Sequence, residues 1–434
     1  MTRLCSSAGR VAVLVLALAA RPLAAQAPVI TLEDAIRRAL GITPAIVTAA
    51  GTVANAESQV RTASLGAYLP NLTASTTGTR NYSTSPRVDQ STGQLTTTTT
   101  SVNLGLSANV DLFTGFRRGA DSRAAKATLG AAEANLTNAQ FQARLTVTQQ
   151  FFAALAAQEL VRVREAGVRR AEEQLALSIA KLRVGSATRS DSLRSIVNLG
   201  TARLQLVSAG SDVARTQAAL ARSVGAEGRV AAADDSAFYR VAATPDTTEL
   251  RGEALARSPR VQAAEAQTTA AEASVKAARA AYFPTLGLSG NTNWSGSSLQ
   301  DYNLERNSSV QLGVSWPIFN RFQREQTIQT RLSSLNSAEA TAQDARREIG
   351  SSLTTQFAAL EAARVRIEIT QASVAAATED LRVVNERYRV GAATILDVLT
   401  SQEALATAEV DAVNARFDYL NAKAQIEALI GRQL

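Results

Sequence analysis

Much of the chain is written twice. Ala67, Tyr68, Leu69 and Pro70 return as Ala281, Tyr282, Phe283 and Pro284, and the pair Phe113 and Phe116 returns as Phe319 and Phe322. Farther on, Arg183, Val184 and Gly185 return as Arg389, Val390 and Gly391, with Thr188, Asp191 and Leu193 as Thr394, Asp397 and Leu399. The later groups lie 206 residues apart (Arg183 to Arg389), far beyond a solenoid repeat, so a domain-sized unit has been duplicated. The first group lies 214 apart (Tyr68 to Tyr282), so the first copy carries eight extra residues (214 less 206) before Phe113. Such an insertion belongs in a loop, and the threonine run 96–100 falls there.

Each copy reads as helix, two strands, very long helix, tight turn, helix. The first places these near 31–66, 70–82 with 101–113, 116–184 and 190–224; the second near 259–281, 284–294 with 309–319, 321–389 and 395–431. Residues 28–224 and 259–434 are therefore expected to be two structural repeats. Between them, 225–258 contains Gly225, Gly228, Asp234, Asp235, Pro245 and Asp246, and reads as an irregular connector with a short helix.

The strands alternate with period two. Val102, Leu104, Leu106, Ala108, Val110 and Leu112 share one face, with Asn103, Ser107, Asn109 and Asp111 on the other. Val310, Leu312, Val314, Trp316 and Ile318 alternate with Gln311, Gly313 and Ser315 in the second copy, where Leu286, Leu288 and Trp294 share a face of the preceding strand. Strands of about ten residues with one apolar and one polar face suit a transmembrane β-barrel. A half-buried soluble hairpin alternates in the same way, and the pattern alone favours it.

The long helices bear on that choice. Residues 116–184 contain no Pro and only Gly119, Gly130 and Gly167. At 1.5 Å rise per residue an unbroken helix of that length runs roughly 100 Å, which no compact domain needs. In the last helix Leu399, Ala406, Val413 and Leu420 interleave with Val410, Phe417 and Ala424 at the three-and-four spacing of a coiled-coil seam. An alanine-rich chain with only 19% charged and 5% aromatic residues agrees with such helices.

Composition excludes much chemistry. His is absent, Met occurs only as the initiator, and the one Cys is Cys5. No His-based metal site, Ser/His/Asp or Cys/His nucleophile, Cys-ligated cluster or intrachain disulfide can form. No glycine-rich phosphate loop or compact acid pair is present, so neither an enzyme nor a cofactor is expected. Residues 1–27 read as a secretory signal: Arg3 and Arg10 precede the apolar run 11–20, and small residues follow at Ala25 and Ala27. Its removal takes three arginines, so 45 basic residues become 42 against 38 acids, and the slight excess is spread along helices, which speaks against nucleic acid as a partner.

Four strands cannot close a barrel, and open sheet edges are not tolerated in hydrocarbon, where each unpaired amide costs several kcal/mol. If these strands span a membrane, several copies must share one barrel, and helices too polar to enter the bilayer must project from it as a continuing tube. The shorter helices 31–66 and 190–224 would stack end to end to match one long helix.

Three segments carry a family resemblance. The run from Tyr388 through Gly391, Thr394 and Asp397 to Leu399, the group Ala281 to Pro284, and the final Asn414 to Leu420 resemble the corresponding motifs of TolC-type outer-membrane efflux proteins, in order and in both copies. The resemblance implies a mainly α, internally duplicated protomer, trimerising into a 12-stranded barrel set in outer-membrane lipid and a 12-helix periplasmic tunnel. It also implies an exit duct, for small molecules or secreted polypeptide, working with a periplasmic adaptor and an inner-membrane pump.

The turns 185–189 and 391–394 are then the periplasmic tips. Gly185 and Gly391 suit the left-handed residue that ends a helix, and Thr188 and Thr394 can cap the next one. Asp191 and Asp397 fall three residues after each Thr, where an acid favours a helix N-terminus. The resemblance gives these acids a second role, as lining of the gate, and matches Tyr388 to the family's gate tyrosine. Two positions depart from the best-known pattern: Thr400 stands where a second acid is common, and Ala393 where a basic residue ties the gate shut. Trp294 and Trp316 fall in the expected barrel, as an interfacial girdle or as packing between strands. The reading that competes with a channel is a periplasmic adaptor or coiled-coil scaffold, although adaptors usually carry one helical hairpin flanked by soluble β-domains and this chain shows two.

Overall fold

A computed structural model describes residues 27–88, 93, 95–239, 247–296 and 304–432, so the expected signal segment lies almost wholly outside the described residues. In chain order the elements are β1 (Val29–Ile30), α1 (Leu32–Ile42), α2 (Pro44–Ser64), β2 (Asn71–Val88), β3 (Leu95–Phe113), α3 (Arg117–Arg183) and α4 (Arg189–Val224). They continue as β4 (Ala231–Ala232), α5 (Thr247–Arg257), α6 (Pro259–Arg279), β5 (Thr285–Gly296), β6 (Glu305–Ser315), α7 (Gln323–Arg389) and α8 (Ile395–Ile430).

Helices α3 and α7 each run 67 residues unbroken, about 100 Å at the helical rise. Within its own repeat α3 packs against α2 and α4, and α7 against α6 and α8; α3 also packs on α6 and α8 and so joins the two repeats. The expected single helix over 31–66 is instead two. Pro44 has no N–H to donate and forces Thr43 out of the helical region (φ −61°, ψ 122°), so the helix ends at Ile42 and restarts at Pro44.

The main core lies where the long helices meet the connector and the chain ends. Phe151, Leu155, Leu220, Ile349, Leu353, Ile426 and Ile430 are fully buried there, and each large apolar side chain so removed from water contributes about 1.5–3 kcal/mol. Phe151, Phe152 and Phe238 meet edge to face with centroids 5.5–6.1 Å apart. The parallel pairing of Val29 with Ala231 and Ile30 with Ala232 stitches the start of the helical body to the connector. A second, smaller cluster of Leu381, Tyr388, Ile395, Val398 and Leu405 lies at the far end, beside the α7–α8 turn.

At the opposite end β2, β3, β5 and β6 form one antiparallel sheet in that order, with β2 and β6 as edges. The first hairpin has strands of 18 and 19 residues against 12 and 11 in the second. The extra length of the first copy is thus taken up by the strands and not by a loop, as expected above. Its threonine run is the reason: β-branched side chains suit the pleated surface, and Arg80 to Tyr82 pair with Thr100 to Thr98.

The passage from sheet to long helix is built alike in both repeats. Gly115 and Phe116 (φ 60° and 64°) precede α3, and Arg321 and Phe322 (φ 58° and 62°) precede α7. Just inside each helix an arginine lies over a tyrosine from the segment before the hairpin: the Arg118 guanidinium is 4.8 Å from the Tyr68 centroid and Arg324 is 4.0 Å from that of Tyr282. Arg118 also donates to the carbonyl oxygen of Asp111, and Arg324 to that of Pro317 at 3.2 Å. These contacts join the first helical turn to the end of the strand before it, a role the sequence reading did not give to these arginines.

Candidate functional site

The α3–α4 and α7–α8 turns are superimposable in chemistry. Each long helix ends on a glycine in the left-handed region, Gly185 at φ 76° and Gly391 at φ 85°. This lets Ser186 N–H reach back to the carbonyl of Lys181 (2.9 Å) and Ala392 N–H to that of Arg387 (2.7 Å). The next helix begins with a reciprocal cap. Thr188 Oγ1 accepts from Asp191 N–H (3.3 Å) while Thr188 N–H donates to Asp191 Oδ2 (2.8 Å). Thr394 and Asp397 repeat this pair at 3.3 and 2.8 Å, and the Thr394 hydroxyl also donates to Asp397 Oδ2 at 2.8 Å. These hydrogen bonds from Thr394, backbone first and then side chain, hold the Asp397 carboxyl below its ordinary range, with the Arg387 charge assisting.

Tyr388, one turn before Gly391, is buried. Its ring faces Lys181, whose ammonium lies 4.3 Å from the centroid and donates to the Tyr388 carbonyl oxygen. Its hydroxyl is 3.5 Å from Ser178 Oγ, which in turn is 2.9 Å from Ser195 Oγ and accepts from Gln174 at 3.2 Å. The structure thus brings Tyr388 together with Lys181, Ser178 and Ser195, none of which the sequence reading singled out. Asp191 and Asp397 instead lie in their own caps, with polar partners confined to the turns.

The sheet has two chemically distinct faces, set by register. On one, Asn71, Asn109, Ser289 and Gln311 lie in one cross-strand row, and Thr73, Ser107, Asn291 and Ser309 in the next row up the sheet. On the other, Leu72, Ala108, Gly290 and Val310 form one row and Thr76, Leu104, Trp294 and Arg306 another. Val310, Leu312 and Val314 are strongly exposed in the single chain. A face made of Asn, Ser, Thr and Gln suits water, and its reverse suits lipid. Trp294 sits half-buried on the apolar face. Trp316 lies just past the end of β6, is exposed, and donates its indole N–H to the Tyr282 carbonyl oxygen at 3.2 Å.

The family model of outer membrane efflux proteins matches residues 35–226 and 250–432. The chain belongs to this family. It is 28% identical over 374 residues to the outer membrane efflux protein BepC of Brucella suis, covering 83% of this chain and 78% of that one. It is 26% identical over 357 residues to the pyoverdine export outer membrane protein OpmQ of Pseudomonas putida, covering 80% and 73%. Among solved structures, the CmeC outer membrane channel of Campylobacter jejuni shares the fold with a TM-score of 0.77 at 18% identity, over 92% of this chain and 85% of that one.

In this outer-membrane efflux protein the two repeats meet at the sheet and along the helical hairpins. Near the tips, further contacts hold the two helical hairpins together. Arg170 of α3 grips Glu409 of α8 through two hydrogen bonds of 3.0 and 2.6 Å, both side chains being largely shielded from solvent. Asn198 of α4 donates to Gln402 of α8 at 3.0 Å. With the Lys181–Tyr388 contact, these polar ties span the two repeats from the tip upward.

Proposed function

We propose that three copies of this chain close one 12-stranded barrel, continued by a 12-helix tunnel. In this reading the assembly is a passive exit duct that receives cargo from a periplasmic adaptor and an inner-membrane pump. The observation that carries it is the two-faced sheet with both edges, β2 and β6, unpaired. Such a sheet is stable in hydrocarbon only when closed, and three copies supply the strands. The helices are incomplete in the same sense. Leu193, Val197, Leu204 and Val207 follow a coiled-coil spacing on α4 and lie more than half exposed, and Val365, Ile369 and Val383 follow it on α7. These stripes are the surfaces on which neighbouring copies would pack.

The tips are the gate in this reading. Asp191 and Asp397, repeated threefold, gather acids around the axis, and the inter-repeat ties through Lys181, Tyr388, Arg170 and Glu409 hold the resting arrangement. The lumen face is made mostly of small polar side chains, with Asp111 and Glu305 its only charges over the paired strands among the described residues, which favours a wide duct that takes its cargo selectivity from the pump.

Electron-microscopic class averaging of the protein extracted from outer membranes in mild detergent tests the assembly. A threefold hollow cylinder of roughly 140 Å, helix plus barrel and loops, is expected. Water-soluble particles without a barrel would overturn the reading and favour a scaffold.

A further inference from the structure

The charges on the membrane part of the sheet are sorted by sign. Over 71–82, 101–111, 285–295 and 305–315 there are four charged residues. By register Asp111 and Glu305 belong to the polar face, and Arg80 and Arg306 to the apolar face. Two arginines therefore point toward lipid, with no acid on that face to meet them. Arg306 Nε donates to Ser308 Oγ at 3.2 Å, Arg80 lies 5.6 Å from the Tyr82 centroid, and neither is in an ion pair among the described residues.

Their height is specific. From Trp316 to Arg306 is ten residues, about 33 Å along a strand and about 25 Å of height at the usual barrel tilt, the thickness of a barrel's apolar band. Arg306 thus stands where hydrocarbon ends, at the end of the sheet away from the helices. Because the helices occupy the periplasm, that end meets the outer leaflet.

The duplication brings the two arginines together. Leu104 pairs with Trp294 and Val102 with Gly296. Applying the internal offsets of 206 for β3 to β6 and 214 for β5 to β2, Val310 would pair with Arg80 of the adjoining copy and Ser308 with its Tyr82. Arg306, four residues from Val310, then stands about 13 Å along the seam from that Arg80, on the same outward face.

We propose that each seam between copies, through Arg306 and the adjoining copy's Arg80, is a binding site for the phosphorylated glycolipid of the outer leaflet. Guanidinium groups bind phosphate through paired N–H donors, and at the edge of hydrocarbon little water competes. Trp294 and Tyr82, at the same level, provide the amphipathic rings favoured at that depth. A disaccharide headgroup phosphorylated at both ends has the reach to engage both arginines. The site rests on the closed barrel proposed above.

The test is native mass spectrometry of the full-length protein extracted from outer membranes, counting phosphorylated glycolipid per trimer. The wild type is expected to carry up to one per seam, R80K/R306K to keep more than about half, and R80Q/R306Q to lose about tenfold or more. Equal glycolipid on R80Q/R306Q trimers, or glycerophospholipid in its place on the wild type, overturns the proposal while leaving the barrel intact. Failure of the wild type to form a threefold barrel overturns the earlier reading and this site with it.

Discussion

Lys181 and Tyr388 come from different repeats, yet the ammonium of the first lies 4.3 Å from the ring centroid of the second and donates to its backbone carbonyl. Tyr388 is buried, so the contact is partly withdrawn from water, where a cation over an aromatic ring contributes about 1–2 kcal/mol. Lys181→Met keeps the length of the side chain and removes the charge. In planar bilayers it should raise the open fraction of the channel about five- to tenfold, with Lys181→Arg close to wild type. Unchanged conductance in Lys181→Met would show that this contact does not hold the resting tip.

The Thr394–Asp397 cap gives the tip a defined response to pH. Hydrogen bonds from Thr394 lower the Asp397 pKa, so the ionised carboxylate is favoured in the folded tip. A depressed carboxyl contributes stability above its ordinary range and loses it as pH falls through the lowered value. Carboxylates gathered around the axis of the proposed gate should bind divalent cations and let them block the channel, and that block should persist below the ordinary value of 3.8. Thr394→Ala should shift loss of block to higher pH, and Asp397→Asn should weaken block at every pH. An Asp397→Asn channel with wild-type conductance and block would remove Asp397 from the gate.

The two sheet-to-helix junctions place different residues in the same left-handed conformation, and opposite substitutions should have opposite effects. A Cβ on Gly115 would lie 2.6 Å from Phe283 Cβ and 3.2 Å from the Pro284 carbonyl oxygen, besides adopting φ 60°. Gly115→Ala should destabilise the protein by about 2 kcal/mol or more. Arg321 holds φ 58° with a full side chain, and Arg321→Gly should stabilise by about 1 kcal/mol. Thermal unfolding of the detergent-solubilised protein checks both, and a loss of stability in Arg321→Gly would mean that its side chain makes contacts worth more than the strain.

What could be read in the sequence was local or periodic. Thr188 and Asp191 are three residues apart, so their cap follows from spacing, and the two faces of the sheet follow from period two. The break before Pro44 is just as local, but the apolar pattern continues through it and hides it. Other features were out of reach. Lys181 meets Tyr388 across 207 residues of chain, and either is unremarkable in its own helix. Arg118 and Arg324 look like ordinary first-turn cations until the fold brings Tyr68 and Tyr282 beneath them. The threonine run 96–100 carries both loop polarity and strand propensity, and pairing with β2 decides between them.

The sorting of charge on the sheet predicts which way the proposed barrel faces, and ion selectivity reads it. With Asp111 and Glu305 on the polar face and both arginines on the other, a barrel with its polar face inward carries two rings of acids in the lumen. Such rings concentrate cations and repel anions. In a potassium chloride gradient the wild type should show a reversal potential of cation-selective sign, with potassium favoured about threefold or more. D111N/E305Q should move that potential most of the way to zero. R80Q/R306Q should leave it unchanged, since those groups face lipid and are screened from the lumen by the wall. The opposite pattern, selectivity lost with the arginines and kept without the acids, would turn the sheet inside out and with it the assignment of its lipid face.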